Sequence, residues 1–275
     1  MIFSHFQTHS LVQRSAQNIK KISPDLGLSE VEIVKTKQGW QFSSGEVLSF
    51  SQIEEINQDT NSCFLFRHGK LEKVQAYSAF TNRYYSLMPT EKAPTMLISG
   101  IPMHRIKGTT PDVDTNQKIR ALKKAYGSVL DTTTGLGYTA IKAAQTAQMV
   151  ITIELDPAVI AICKLNPWSK ELFTNPKIFC VIGDSYNLVK IFDNGFFNAI
   201  IHDPPTISLA GHLYSKSLYQ SFYRILRNNG RLFHYIGNPE SRYGASTGRG
   251  VVERLRKVGF TTTPKGRAFG VLAQK

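Results

Sequence analysis

The sequence predicts an α/β fold, a mostly parallel seven-stranded sheet ending in an antiparallel hairpin, with a small β-rich domain ahead of it. Two observations carry that prediction. After residue 110, nearly continuous apolar segments alternate with helical stretches, the pattern of parallel strands covered on both faces. The last two strand candidates, "FTTT" and "AFGVLAQ", lie too close together for a crossover and must pair as a hairpin.

Residues 5–22 read as a helix. "EVEIVKT" alternates as a strand, "GWQFSSGEVLSF" reads as a hairpin around Ser44-Gly45, and "CFLFRHGKLEKVQAYSAF" as a second around His68-Gly69. Further strand candidates are broken by Pro89, Pro94 and Pro102. "TTPDVDTNQK" reads as a link and "NQKIRALKKAY" as the helix opening the second domain, which divides the chain into 1–110 and 111–275. Strands are then expected at 128–130, 150–154, 178–182, 199–202 and 231–236. Helices are expected between them at 138–148, 158–165, 186–192 and 215–226, and again over "GVVERLRKVGF".

A chain of 275 residues, 41% hydrophobic and 19% charged, can bury a sizeable core. No uninterrupted apolar run reaches about 18 residues, so a membrane span is not expected. Cys63, Cys163 and Cys180 have neither metal-like nor redox-like spacing, and the start lacks a signal-peptide core. A cytoplasmic protein without a metal is the expectation, with the oligomeric state open and a homodimer among the choices. The net charge is +13, and residues 216–275 hold twelve Lys or Arg against Glu240 and Glu253. A basic region of this kind attracts polyanions, which makes RNA a candidate partner.

Chemistry enters with "VLDTTTGLGYTAIKA", residues 129–143, where a strand end runs into a loop and a helix. Ligands of open α/β sheets sit beyond the C-terminal strand ends. Gly135 and Gly137 let the backbone approach a ligand, and a helix starting near Tyr138 offers free N–H groups. Glu154 ends the second strand, where an acid receives a ribose hydroxyl pair. Gly135-x-Gly137-x-x-Ala140 also fits a dinucleotide fingerprint. Against that, Asp131-Thr132-Thr133-Thr134 separates strand from glycines, and Asp131 would repel a pyrophosphate while suiting an ammonium group.

The loop resembles motif I of the class I S-adenosylmethionine (SAM) methyltransferases, with Thr134 where a glycine is common. That resemblance implies a SAM site in which Asp131, Thr133, Thr134, Gly135, Gly137 and Tyr138 hold the methionine end. Glu154-Leu155-Asp156 resembles the family's ribose-binding segment, and Gly183-Asp184-Ser185 its adenine-side segment. Asp203-Pro204-Pro205 resembles motif IV, which faces the transferred methyl group and implies a catalytic role. Over about residues 110–260 the chain resembles a family of predicted SAM-dependent methyltransferases best known from archaea, so a Rossmann-like methyltransferase domain is expected.

The acceptor is less marked. Pro204 and Pro205 remove two N–H donors and leave carbonyls facing a substrate. Enzymes that methylate nucleobase amines follow Asp-Pro-Pro with an aromatic that stacks on the flipped base. Here Thr206 stands fourth, and Tyr214 reads either as a ring supplied from farther along or, equally, as a residue packed under the helix. His202, His234 and Tyr235 read chiefly as structural strand residues. The stretch "GNPESRYGASTGRG", 237–250, reads as a loop that could close over a substrate, with Arg242 and Arg249 as phosphate ligands. Methyl transfer to RNA is the leading expectation, with a small-molecule acceptor as an alternative. "DPPTISLAGHLYSKSLYQSFYRILRNNG" also resembles spermidine synthases, which place a small β domain ahead of the same fold. That resemblance implies the other alternative, aminopropyl transfer from decarboxylated SAM to a polyamine. Four acids at four strand ends argue against a non-catalytic protein.

Overall fold

The computed structural model describes residues 1–12, 18–123 and 125–275, with the backbone alone at Tyr243. The chain forms two compact units, Met1–Asp112 with Ala158–Lys170, and Val113–Pro157 with Glu171–Lys275.

Among the described residues the first unit holds three antiparallel sheets. Ile19–Ile22, Val31–Lys35, Gly39–Phe42 and Val47–Ser49 form a meander. Phe64–Arg67 pairs with both Ile2–Phe3 and Lys70–Lys73, and its hairpin turns at His68 and Gly69 with φ of 52° and 73°. Positive φ at both central residues matches the right-handed twist of the flanking strands. Phe3, Trp40, Phe42, Leu48, Ile53 and Phe66 fill one core. The Trp168 indole N–H donates to the Leu26 carbonyl at 3.1 Å, which ties 158–170 into this unit.

Two local expectations change here. The first helix runs over His5–Val12, whereas Ile19–Ile22 is a strand paired with Val31–Lys35 that turns Ile22 into the core. The middle of the expected helix, 13–17, lies outside the described residues. A helix over Phe50–Gln58 was not expected. Its capping box is complete: the Ser49 hydroxyl accepts from Gln52 N–H at 3.2 Å, and Gln52 Oε1 accepts from Ser49 N–H at 3.0 Å. Ile53 and Ile56 face inward.

The second unit carries one sheet: β1 (Ser128–Asp131), β2 (Met149–Glu154), β3 (Ile178–Ile182), β4 (Phe197–His202), β5 (Leu226–Tyr235), β6 (Thr261–Lys265) and β7 (Gly270–Gln274). The spatial order is β3-β2-β1-β4-β5-β7-β6, parallel except for β7. Strand order reverses between β1 and β4, so their C-terminal ends flank the switch crevice. In chain order the helices from residue 111 on are α1 (Pro111–Ala121), α2 (Tyr138–Ala144), α3 (Pro157–Leu165), α4 (Glu171–Thr174), α5 (Ser185–Leu188), α6 (Ile207–Ala210), α7 (Lys216–Ile225) and α8 (Arg242–Val258), of which α3 belongs to the first unit from Ala158 on. Leu218, Tyr219, Phe222 and Ile225 form the buried stripe of α7. They pack with Leu130, Ile200, Leu232 and Leu255 in one core.

The 111–118 stretch read as a link is the first two turns of α1, with Pro111 at the start where its missing N–H costs nothing. The stretch 237–250 read as a loop is helical from Arg242, capped by the Ser241 hydroxyl accepting from Gly244 N–H at 3.0 Å. Its buried face is made of Gly244, Thr247, Gly248, Val251 and Leu255. That face has helical spacing but starts with small residues, so hydrophobicity alone does not reveal it. A Cβ on Gly244 would lie 1.9 Å from the Asn238 carbonyl oxygen.

Both tryptophans lie in the first unit, so their fluorescence reports its unfolding. Ser49→Ala is expected to cost that unit about 1 kcal/mol, read as a lower urea midpoint at unchanged slope.

Candidate active site

The C-terminal ends of β1, β2 and β4 converge on the loop after β1. Gly135 and Gly137 have φ of 51° and 78°, a conformation that favours glycine. A Cβ on Gly137 would also sit 2.9 Å from Leu172 Cδ2. The loop is tied down on both sides. Thr134 N–H donates to the Ile153 carbonyl at 2.9 Å, Gly135 N–H to Glu154 Oε2 at 2.9 Å, and the Thr133 hydroxyl to the Asp203 carbonyl at 2.9 Å. Ser185 Oγ donates to the Thr132 carbonyl. Motif I, the β2 end and motif IV therefore form one hydrogen-bonded rim.

Asp131 is fully buried, its Oδ2 accepting from the hydroxyls of Thr139 at 3.0 Å and Thr152 at 3.1 Å. Burial pushes its carboxyl up to about 8. Its Oδ1 makes no hydrogen bond of good geometry. Glu154 accepts from Gly135 N–H and, through Oε1, from Asp156 N–H at 3.1 Å, and burial pushes it up to about 7. An unsatisfied buried oxygen on Asp131 and a buried acid at Glu154 suit a ligand carrying an ammonium and hydroxyl groups. A SAM-type donor fits this donor and acceptor set. Leu155 is exposed and Asp156 buried. Asp184 is half-buried and caps α5, accepting from Tyr186 N–H at 2.8 Å and Asn187 Nδ2 at 3.0 Å.

Asp203 follows β4 and is the reachable member of an ion cluster missed in the sequence. Lys118 Nζ lies 2.5 Å from Asp203 Oδ2 and 2.7 Å from Asp114 Oδ2. Lys118 and Asp114 are 3% and 0% exposed, whereas Asp203 keeps 20% of its side chain accessible. The ammonium also stands 4.7 Å from the centre of the Tyr235 ring. Burial alone would pull Lys118 down, but Asp203 and Asp114 overcome it and hold the lysine above its ordinary range. Burial raises Asp203, and Lys118 pulls the other way. An acid and a lysine four residues apart signal an ion pair on a helix. Nothing in the sequence says that this polar face is the buried one.

Behind motif IV, His202 and His234 are buried and neutral. Leu213 O can only accept, so His202 donates from Nε2 at 2.8 Å and accepts from Thr132 Oγ1 on Nδ1 at 2.6 Å. Burial lowers its pKa to about 4. His234 donates from Nδ1 to the Tyr235 carbonyl at 2.7 Å and accepts from the Tyr219 hydroxyl on Nε2 at 2.8 Å. The rings meet edge to face at 4.5 Å. These two histidines brace the strand ends.

The candidate acceptor residues fare differently. Tyr214 is buried, and its hydroxyl donates to the Pro205 carbonyl at 2.9 Å. It packs in the core and holds the Pro204-Pro205 turn, the packing role of the two expected for it. Thr206 is exposed at the cap of α6. Arg242 and Arg249 are exposed on α8 rather than in a flexible loop.

Residues 134–247 match the spermine/spermidine synthase domain. That match begins after Asp131 and takes in Gly135, Gly137, the β2 end and motif IV. An uncharacterized protein of Methanocaldococcus jannaschii, MJ1233, is 44% identical over 249 residues, which are 90% of this chain and 84% of that protein. The chain belongs to the family of that archaeal protein. A spermidine synthase solved with the transition-state analogue AdoDATO overlays with a TM-score of 0.60 at 18% identity, covering 81% of this chain and 84% of the other. Spermidine synthase from Thermotoga maritima gives 0.58 at 19%, covering 81% and 83%. These overlays establish the shared Rossmann-like fold with its seven-stranded mixed sheet. Among the described residues no helix is long and apolar enough to cross a membrane.

Asp131 and Glu154 bind protons more tightly folded than unfolded, so both oppose the folded state once pH exceeds their unfolded values. Stability of the second unit is therefore expected to fall from about pH 4 to pH 8. Asp131→Asn is expected to flatten that fall in thermal melts taken across the range. An equally steep fall in the variant would remove Asp131 as its source.

Proposed function

We propose that this protein is a sulfonium-dependent alkyltransferase of the aminopropyl-transferring kind, moving a chain from decarboxylated SAM to an amine nitrogen. The observation that carries the reading is the reachable carboxyl of Asp203, held at the end of β4 beside the glycine loop. The spermine/spermidine synthase domain match supports it. The donor supplies an electrophilic carbon whose bond to sulfur breaks with its electron pair leaving on sulfur as the acceptor nitrogen attacks. An amine attacks through its lone pair and must lose a proton. Asp203, whose carboxyl burial lifts above its ordinary range against the pull of Lys118, is suited as its carboxylate to take that proton. Pro204 and Pro205 present carbonyls instead of N–H groups, and Tyr214 fixes the Pro205 carbonyl. Asp131, Gly135 and Gly137 serve the methionine-derived end of the donor, Glu154 its ribose, and the Asp184 segment its adenine side.

Burial of Tyr214 and an exposed threonine at position 206 weigh against amino methylation of a flipped base, because the candidate ring is packed inside the fold and the fourth residue of motif IV is not aromatic. Methyl transfer from intact SAM is the second reading. It is favoured by the position of Asp131 at the strand end, before rather than between the glycines. RNA, drawn by the basic C-terminal region, is the acceptor that this second reading would take.

The deciding experiment offers the protein aminopropyl-labelled decarboxylated SAM with a series of diamines, and separately methyl-labelled SAM with cellular RNA. Label is expected to enter a diamine, and Asp203→Asn is expected to lower kcat by about 10²–10⁴. Transfer of the methyl label alone would overturn the aminopropyl reading. Full activity in Asp203→Asn would overturn the assignment of the base.

A further inference from the structure

The proposed reaction leaves Asp114 and Lys118 without a part, yet burying them is physically demanding. A helix normally turns its charged face to water. On α1 the reverse holds: Asp114, Thr115 and Lys118 are buried while Val113 is 40% exposed. Such an arrangement persists when the charges compensate one another. Here two carboxylates share one ammonium, and Asp203 alone of the three is reachable from outside.

We propose that Asp114 and Lys118 are positioning residues that set how readily Asp203 takes up and releases the acceptor's proton. The inference rests on the use of Asp203 proposed above. With Asp203 ionised, Lys118 is held between two carboxylates and over the Tyr235 ring, which fixes the direction of the Asp203 side chain. When Asp203 becomes neutral on accepting a proton, Asp114 still compensates the buried ammonium. The lysine is therefore paired in both protonation states, and the proton moves without exposing an isolated buried charge. The two α1 residues act on Asp203 with opposite signs, since Lys118 favours its carboxylate and Asp114 opposes it. A further titratable neighbour is Asp131 at the end of β1, whose carboxyl the charge of Asp203 helps to raise. His202, adjacent in β4, is neutral and occupied by Leu213 and Thr132.

The test follows the Asp203 carboxyl directly by carbon-13 NMR of the full-length protein labelled at aspartate, with the signal assigned by its loss in Asp203→Asn. In parallel, kcat/KM is profiled against pH with whichever donor is turned over. Lys118→Met is expected to move the Asp203 titration upward by about one unit, a tenfold change in its proton equilibrium. Asp114→Asn is expected to move it downward, and Lys118→Arg to leave it near the parent value. The acid limb of kcat/KM is expected to follow in each case. A structural role alone would lower activity in both variants without opposite displacements. Displacements in one direction, no displacement, or an acid limb that ignores the carboxyl titration would overturn the proposal. Should Lys118→Met not fold, Asp114→Asn alone still decides the sign. A carboxyl that titrates as expected in a protein that transfers neither donor's label would sink the transferase reading, and with it the catalytic use of the pair.

Discussion

The ammonium of Lys118, set between Asp114 and Asp203, is the interaction on which the ligand end of the sheet depends. Two elements meet in it, α1 with Lys118 and Asp114 and the turn after β4 with Asp203. Removing the lysine would leave two carboxylates in a poorly solvated place, where breaking a buried pair costs about 3–5 kcal/mol. The Asp203 carbonyl in turn receives the Thr133 hydroxyl, so the cluster also anchors the glycine loop. Orientation of motif IV and of the glycine loop are thereby one problem with one solution.

A second layer backs this arrangement from within the sheet. Thr132, His202, His234 and Tyr219 link β1, β4, β5 and α7 through buried hydrogen bonds and ring contacts. Burial keeps both histidines neutral, which lets each ring donate on one side and accept on the other. A protonated ring could only donate, and the bond from the Thr132 or Tyr219 hydroxyl would be lost. The rigidity of the strand ends thus depends on neutral imidazoles, and both ring nitrogens of His202 are engaged within the fold despite its place next to Asp203.

Much of the candidate site was legible in the chain. Gly135 and Gly137 occupy positions that require left-handed backbone, and Asp131, Glu154, Asp184 and Asp203 each stand at or just beyond a strand end. Alternating apolar segments located the strands because parallel strands are buried on both faces, as β4 shows by burying Ala199, Ile200 and Ile201 together. Less was legible where packing reverses a local signal. Tyr214 read equally as a stacking ring or a packed one, and its polar hydroxyl found a carbonyl inside the fold. The glycine-rich first half of α8 looked like a loop, because small residues pack closely against a neighbour without adding hydrophobicity.

The sequence by itself determined the strand order's raw material, the glycine loop and the four strand-end acids, since these follow from periodicity and backbone geometry within short segments. The pairing of Lys118 with Asp203 joins residues 85 positions apart, and the choice of which face of α1 turns inward is made by that partner. Tertiary structure alone decided this, because a charge can be buried only where another part of the chain brings its counter-charge.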